Sequence, residues 1–157
     1  MRSHLFDPTA GHPRLSEAIE LGREIYALYE AGADYGALLK QLGIVAGHPI
    51  HGFAVHDGFG SVRPEVFARR QLVAWDQIPT DLTHEEMLEM IDGLCGITKV
   101  DELQSHYWLA CLKANTGDDG ISDLIFWPGA YFGDGDDTRI MSSSEILATA
   151  LQSREFR

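Results

Sequence analysis

Along most of this chain, apolar residues recur every three or four positions, the pattern of helices with one buried face. Leu15, Ala18, Ile19, Ile25, Tyr26 and Tyr29 make the first stripe, with Ser16 as expected N-cap and Gly32 as stop. Asp34 is placed to cap a shorter helix through Leu38, Leu39 and Leu42, ending at Gly43. Residues 47–60, dense in glycine and histidine, read as a structured loop or a single short turn. Ser61 then caps a helix to about Val73, with Val62, Val66 and Val73 on one face and Pro64 in the first turn.

The second half carries stronger signals. Thr83 and Glu86 have the spacing of a capping box, followed by the stripe Met87, Leu88, Ile91, Leu94 and Cys95 and a stop at Gly96. Thr98 is the expected opening of the next helix, with Leu103, Tyr107 and Cys111 in one row, Trp108 and Leu112 beside it, and an end at Asn115 to Gly117. Residues 121–128 (ISDLIFWP) suit a buried strand or a short helix; Ser122 as cap and Pro128 as stop favour the helix. A glycine-rich loop follows, and Ser142 with Glu145 opens the last helix through Ile146, Leu147 and Ala150. The expected fold is all-α: one compact domain of six or seven helices over 14–157, after a loose leader at 1–13, with any minor strand confined to 121–133. Leu88, Ile91, Leu103, Tyr107, Leu124 and Leu147 are expected in the core, and the Phe126-Trp127 and Tyr131-Phe132 pairs read as core as well.

Composition narrows function. Lys and Arg number 12 against 24 Asp and Glu, a net charge of −12, so a phosphate-binding surface and nucleic-acid partners are not expected. The acids concentrate in the second half, where 14 lie between Asp76 and Asp137 with only Lys99 and Lys113 against them. No apolar run approaches the roughly 18 residues of a membrane span, and the first 13 residues lack a secretory signal's apolar stretch. The expected location is the cytoplasm.

Three groups of residues bear on chemistry. His48, His51, His56 and Asp57 offer zinc-type ligands, but Pro49 and Gly52 interrupt them and the H-E-x-x-H spacing is absent. Asp134, Asp136, Thr138, Ser142 and Glu145 fit a calcium-loop template whose central glycine is here Arg139. Cys95 and Cys111 lie on apolar helix faces, as small core residues do. No phosphate-binding glycine loop and no nucleophile-elbow motif is present. No metal and no cofactor is therefore expected.

The segments LSEAIELGREIYALYEAGADYGALLKQL, LTHEEMLEMIDGLC, ISDLIFWP and SSSEILATAL, in this order, resemble small helical bacterial proteins of toxin–immunity loci. The resemblance covers most of residues 15–151, and it implies a cytoplasmic protein that binds and neutralises a cognate toxin. The residues fit a non-enzymatic inhibitor whose acidic face, Glu85, Glu89 and Asp92 with Asp134, Asp136 and Asp137, meets a basic protein partner. The alternatives are a metal-dependent hydrolase using His48, His51, His56 and Asp57, or a structural interaction module.

Overall fold

The computed structural model describes residues 1–59, 62–136 and 138–153. Among them there are ten helices and no strand, so the all-α class holds while the helix count exceeds the six or seven expected. The surplus is short. The helices are α1 (Ser3–Phe6), α2 (Leu15–Glu30), α3 (Gly36–Ala46), α4 (Gly52–Phe59), α5 (Pro64–Gln71), α6 (His84–Leu94), α7 (Glu102–Thr116), α8 (Ile121–Phe126), α9 (Pro128–Phe132) and α10 (Ser143–Ser153). Elements of four to eight residues show too few turns for a period to emerge, which is why α1, α4 and α9 read as leader or loop. The segment suspected of strand is α8 and α9. No described helix is long and apolar enough to cross a membrane.

The chain gathers into two compact units, an inserted unit of Asp7–Ala74 and a split unit of Met1–Phe6 with Trp75–Arg157. In the inserted unit, Ala18, Leu21 and Ile25 of α2 pack with Leu39, Leu42 and Val45 of α3, Val55 of α4, and Phe67 and Ala68 of α5. Gly22 sets the closeness of α2 to α5: a Cβ there would stand 2.7 Å from the Pro64 carbonyl oxygen and 2.8 Å from the Ala68 Cβ. In place of the Ser16 cap, Arg14 occupies the N-cap of α2 and makes no side-chain cap bond. Helix α3 runs past the expected stop at Gly43 and ends at Gly47, whose φ is +79°. Gly43 is instead a packing position, since a Cβ on it would lie 2.9 Å from the His48 carbonyl oxygen. Pro64 takes the first turn of α5 as expected, while the Ser61 cap lies outside the described residues.

The split unit buries Met87, Met90, Ile91 and Leu94 of α6 with Leu103, Tyr107, Trp108, Cys111 and Leu112 of α7, Ile121 and Leu124 of α8, and Ile146, Leu147 and Ala150 of α10. Ile91, Leu103, Tyr107, Leu124 and Leu147 are thus in the core, whereas Leu88 is only half-buried. The first residues are not loose here. Leu5 is fully buried, and its carbonyl accepts a 2.7 Å bond from the Trp108 indole nitrogen. Helix α7 opens at Asp101 rather than Thr98, because Asp101 and Gln104 form a capping box: Asp101 Oδ1 accepts from Gln104 N at 2.8 Å and Gln104 Oε1 from Asp101 N at 3.3 Å. The N-cap of α8 is Gly120 rather than Ser122.

Candidate functional site

Helix α6 divides its acids between structure and surface. Thr83 Oγ1 accepts from Glu86 N at 3.2 Å, and Glu86 Oε2 accepts from Thr83 N at 3.0 Å, completing the expected capping box. Glu86 is only 7% exposed, and Arg2 reaches it with Nε at 2.8 Å and Nη2 at 2.9 Å while donating from Nη1 to Asp81 Oδ2 at 2.9 Å. These bonds from Arg2, with the Thr83 amide, hold the Glu86 carboxyl down at about 2. Glu85 and Glu89 remain exposed as expected, Glu89 with the Met1 amino nitrogen at 3.2 Å. Asp92 is half-buried and accepts a hydrogen bond from the Ser143 hydroxyl, so it faces α10 instead of joining a fully solvated acidic row.

The acidic segment after α9 is a locked turn. Gly133 and Gly135 take left-handed φ of +70° and +67°, and Gly135 N donates to Gly129 O at 3.1 Å. Any side chain on Gly129 would collide with the Asp136 backbone, only 2.7 Å from its Cβ position. Asp134 Oδ1 accepts from Asp136 N at 3.0 Å and Asp134 Oδ2 from Arg139 Nη2 at 2.5 Å, which together hold its carboxyl below the usual range. Asp136 Oδ1 accepts from the Thr138 amide at 3.1 Å and hydroxyl at 2.7 Å. The Arg139 guanidinium lies 4.4 Å above the Phe132 ring, a cation–π arrangement. The glycine-rich loop is thus clamped by its own arginine. Asp137 lies outside the described residues.

Two adjoining clefts connect these elements, with volumes of about 340 and 350 Å³ and with Cys95 and Met141 lining both. The first is bordered by Leu88, Asp92, Ile97 and residues 142–144, the second by Phe126, Pro128, Arg139 and Ile140. Asp92 lines the first cleft, and Arg139, which carries Asp134, lines the second. Glu85 and Glu89 line neither cleft. Around the clefts the apolar exposure is large: Ile97 is 69%, Phe126 42% and Ile140 95% accessible. Trp127, beside Phe126, is 64% accessible and Phe132 44%.

These aromatic residues, expected in the core, are what the sequence pattern missed. Within a helix, successive residues turn by about 100°, so an apolar run of four cannot face one way. Ile121 and Leu124, three apart, take the buried side, and Phe126 and Trp127 are carried around to solvent before Pro128 begins α9. That register was the available signal.

The histidine segment does not converge. His48 turns both ring nitrogens to backbone carbonyls, Nε2 to Gln71 O at 2.9 Å and Nδ1 to Pro49 O at 3.2 Å. His51 is exposed, and His56 sits edge-on to Tyr29 with ring centres 5.4 Å apart. Among the described residues no group of three or more His, Cys, Asp or Glu is placed to hold a metal ion. Glu145 of the calcium template instead accepts from Ser142 N at 2.8 Å, closing the expected box that opens α10. Burial pushes the Cys111 thiol up to about 11 and the neighbouring Tyr107 hydroxyl up to about 12, while burial and Asp92 raise the Cys95 thiol. Comparisons with protein-family models, with curated proteins and with solved structures each give no match.

Proposed function

We propose that this protein is a non-enzymatic, cytoplasmic inhibitor that holds a basic protein partner, a cognate bacterial toxin, against the two clefts of its split unit. The observation that carries this reading is the union of exposed apolar anchors with concentrated acidity. Ile97, Phe126, Trp127 and Ile140 are the kind of large side chains on which interface energy concentrates. They belong to a unit with 16 acidic and 6 basic residues, whereas the inserted unit has 8 and 6. A net charge of −10 steers a cationic partner toward that surface, and desolvated apolar contacts then hold it. The resemblance to proteins of toxin–immunity loci points to the same class of partner.

The test uses the purified product of the neighbouring gene, with association and dissociation followed at two ionic strengths. Glu85→Lys with Glu89→Lys should slow association and weaken its salt dependence. Trp127→Ala should chiefly speed dissociation, with a loss of about 2 kcal/mol or more if it is a central anchor. No binding, or binding indifferent to salt and to all three substitutions, would overturn the reading.

A further inference from the structure

We propose that the cleft along α3 in the inserted unit is a binding site for a free medium-chain aliphatic carboxylate. The cleft has a volume of about 610 Å³, within the range of roughly 300–1,000 Å³ usual for small-molecule sites. Its floor is one face of a single helix: Gly36, Leu39, Lys40, Gly43, Ile44 and Gly47 recur at three- and four-residue intervals, a span of about 16 Å at 1.5 Å per residue. The opposite side is the segment His48, Pro49 and Ile50, held close because Gly43 has no side chain. Apart from Lys40 and His48 the lining is apolar or glycine, a surface suited to an alkyl chain.

Charge selects the head group. The chain carries 24 acidic residues, yet none lines this cleft. Lys40 is its one fully charged side chain, exposed and without an ion pair or hydrogen bond among the described residues. An unpaired ammonium over an apolar floor matches a carboxylate, with the tail running on past Ile44 toward Pro49 and Ile50. Ile44 is 69% accessible, so the tail would cover apolar surface that otherwise faces water. His48 closes the side of the cleft, its Nε2 2.9 Å from the Gln71 carbonyl oxygen.

The probe is decanoate, titrated calorimetrically into the full-length protein, with decanol and decyltrimethylammonium as neutral and cationic counterparts. Saturable one-to-one binding of decanoate is expected, with the cationic amphiphile weakest. Lys40→Gln should weaken decanoate about two- to fivefold, the size of one exposed ion pair, and leave decanol unchanged. Ile44→Glu, a change at an exposed position, should abolish binding of decanoate while circular dichroism stays that of the parent. Absence of saturable decanoate binding, or binding that ignores both substitutions, overturns the proposal. So does concentration-dependent dimerisation lost in Ile44→Glu, which would assign the face to a second copy. Binding only to anionic vesicles would assign it to a membrane surface and overturn it likewise.

Discussion

Gly93 shows how one residue's surroundings can reverse an ordinary expectation. Replacing an interior helical glycine by alanine usually stabilises by up to about 1 kcal/mol. In α6 the new Cβ would stand 2.4 Å from the Trp108 ring, 3.0 Å from Val100 Cγ1 and 3.1 Å from Thr98 Oγ1. Trp108 cannot retreat, being 2% exposed and tied to the Leu5 carbonyl. Gly93→Ala should therefore destabilise by about 1–3 kcal/mol in urea unfolding, the usual cost of overpacking. Gly52→Ala, with open space around its Cβ position, should not. Glu86 gives a second prediction at this scale. Its carboxyl lies near 2 in the folded protein against an ordinary 4.5, so the folded state favours the ionised form. Its contribution to stability is complete above pH 4.5 and is lost as pH falls toward 2. Arg2→Ala removes the principal cause; the melting temperature should drop at pH 7, and the difference from the parent should shrink through that acidic window.

Whole elements were legible where their ends carried reciprocal chemistry. The Thr83/Glu86 and Ser142/Glu145 boxes are read directly from spacing because two side chains satisfy two orphan amides, a pattern little else produces. The third box was hidden: Asp101 and Gln104 use less familiar partners, and Thr98 offered a competing start. Asp101→Ala should cost about 1 kcal/mol in thermal or urea unfolding, whereas Thr98→Ala should cost less than half of that. Glycines were ambiguous for a different reason. Gly32, Gly47 and Gly96 each take left-handed φ and stop a helix, with the following amide reaching back five residues. Gly43 sits in a similar sequence context yet is helical, because what matters there is the approach of another backbone. Spacing along a chain does not encode such an approach. The same limit governed the two clefts: Asp92, Phe126 and Arg139 are separated in sequence, and only packing brings residues of α6, α8, α10 and the 139–141 segment to adjoining cleft walls. The acidity was visible beforehand; which acids remain free was not.

At the scale of the molecule, both acidity and tryptophan belong to one unit. Trp75, Trp108 and Trp127 are all in the split unit, so indole fluorescence reports on its folding alone. That unit must join residues far apart, Leu5 and Trp108 being 103 positions from each other. The inserted unit ties its own ends together: Arg69 Nη2 reaches Asp7 Oδ1 at 3.1 Å, and Arg69 Nε donates to Thr9 Oγ1 at 3.2 Å. Once those contacts exist, the free chain between Leu5 and Trp108 shrinks to roughly two-fifths, lowering the entropic cost of closure by about 1 kcal/mol. Arg69→Ala should accordingly slow the fluorescence phase of refolding by up to about fivefold in stopped-flow measurements. Synthesis on the ribosome adds a sense of time to this arrangement. The inserted unit is complete in the nascent chain long before α7 emerges, and domains fold as they appear. Leu5 must wait for Trp108, made 103 residues later, and closure of the Asp7–Arg69 loop shortens the chain between them meanwhile.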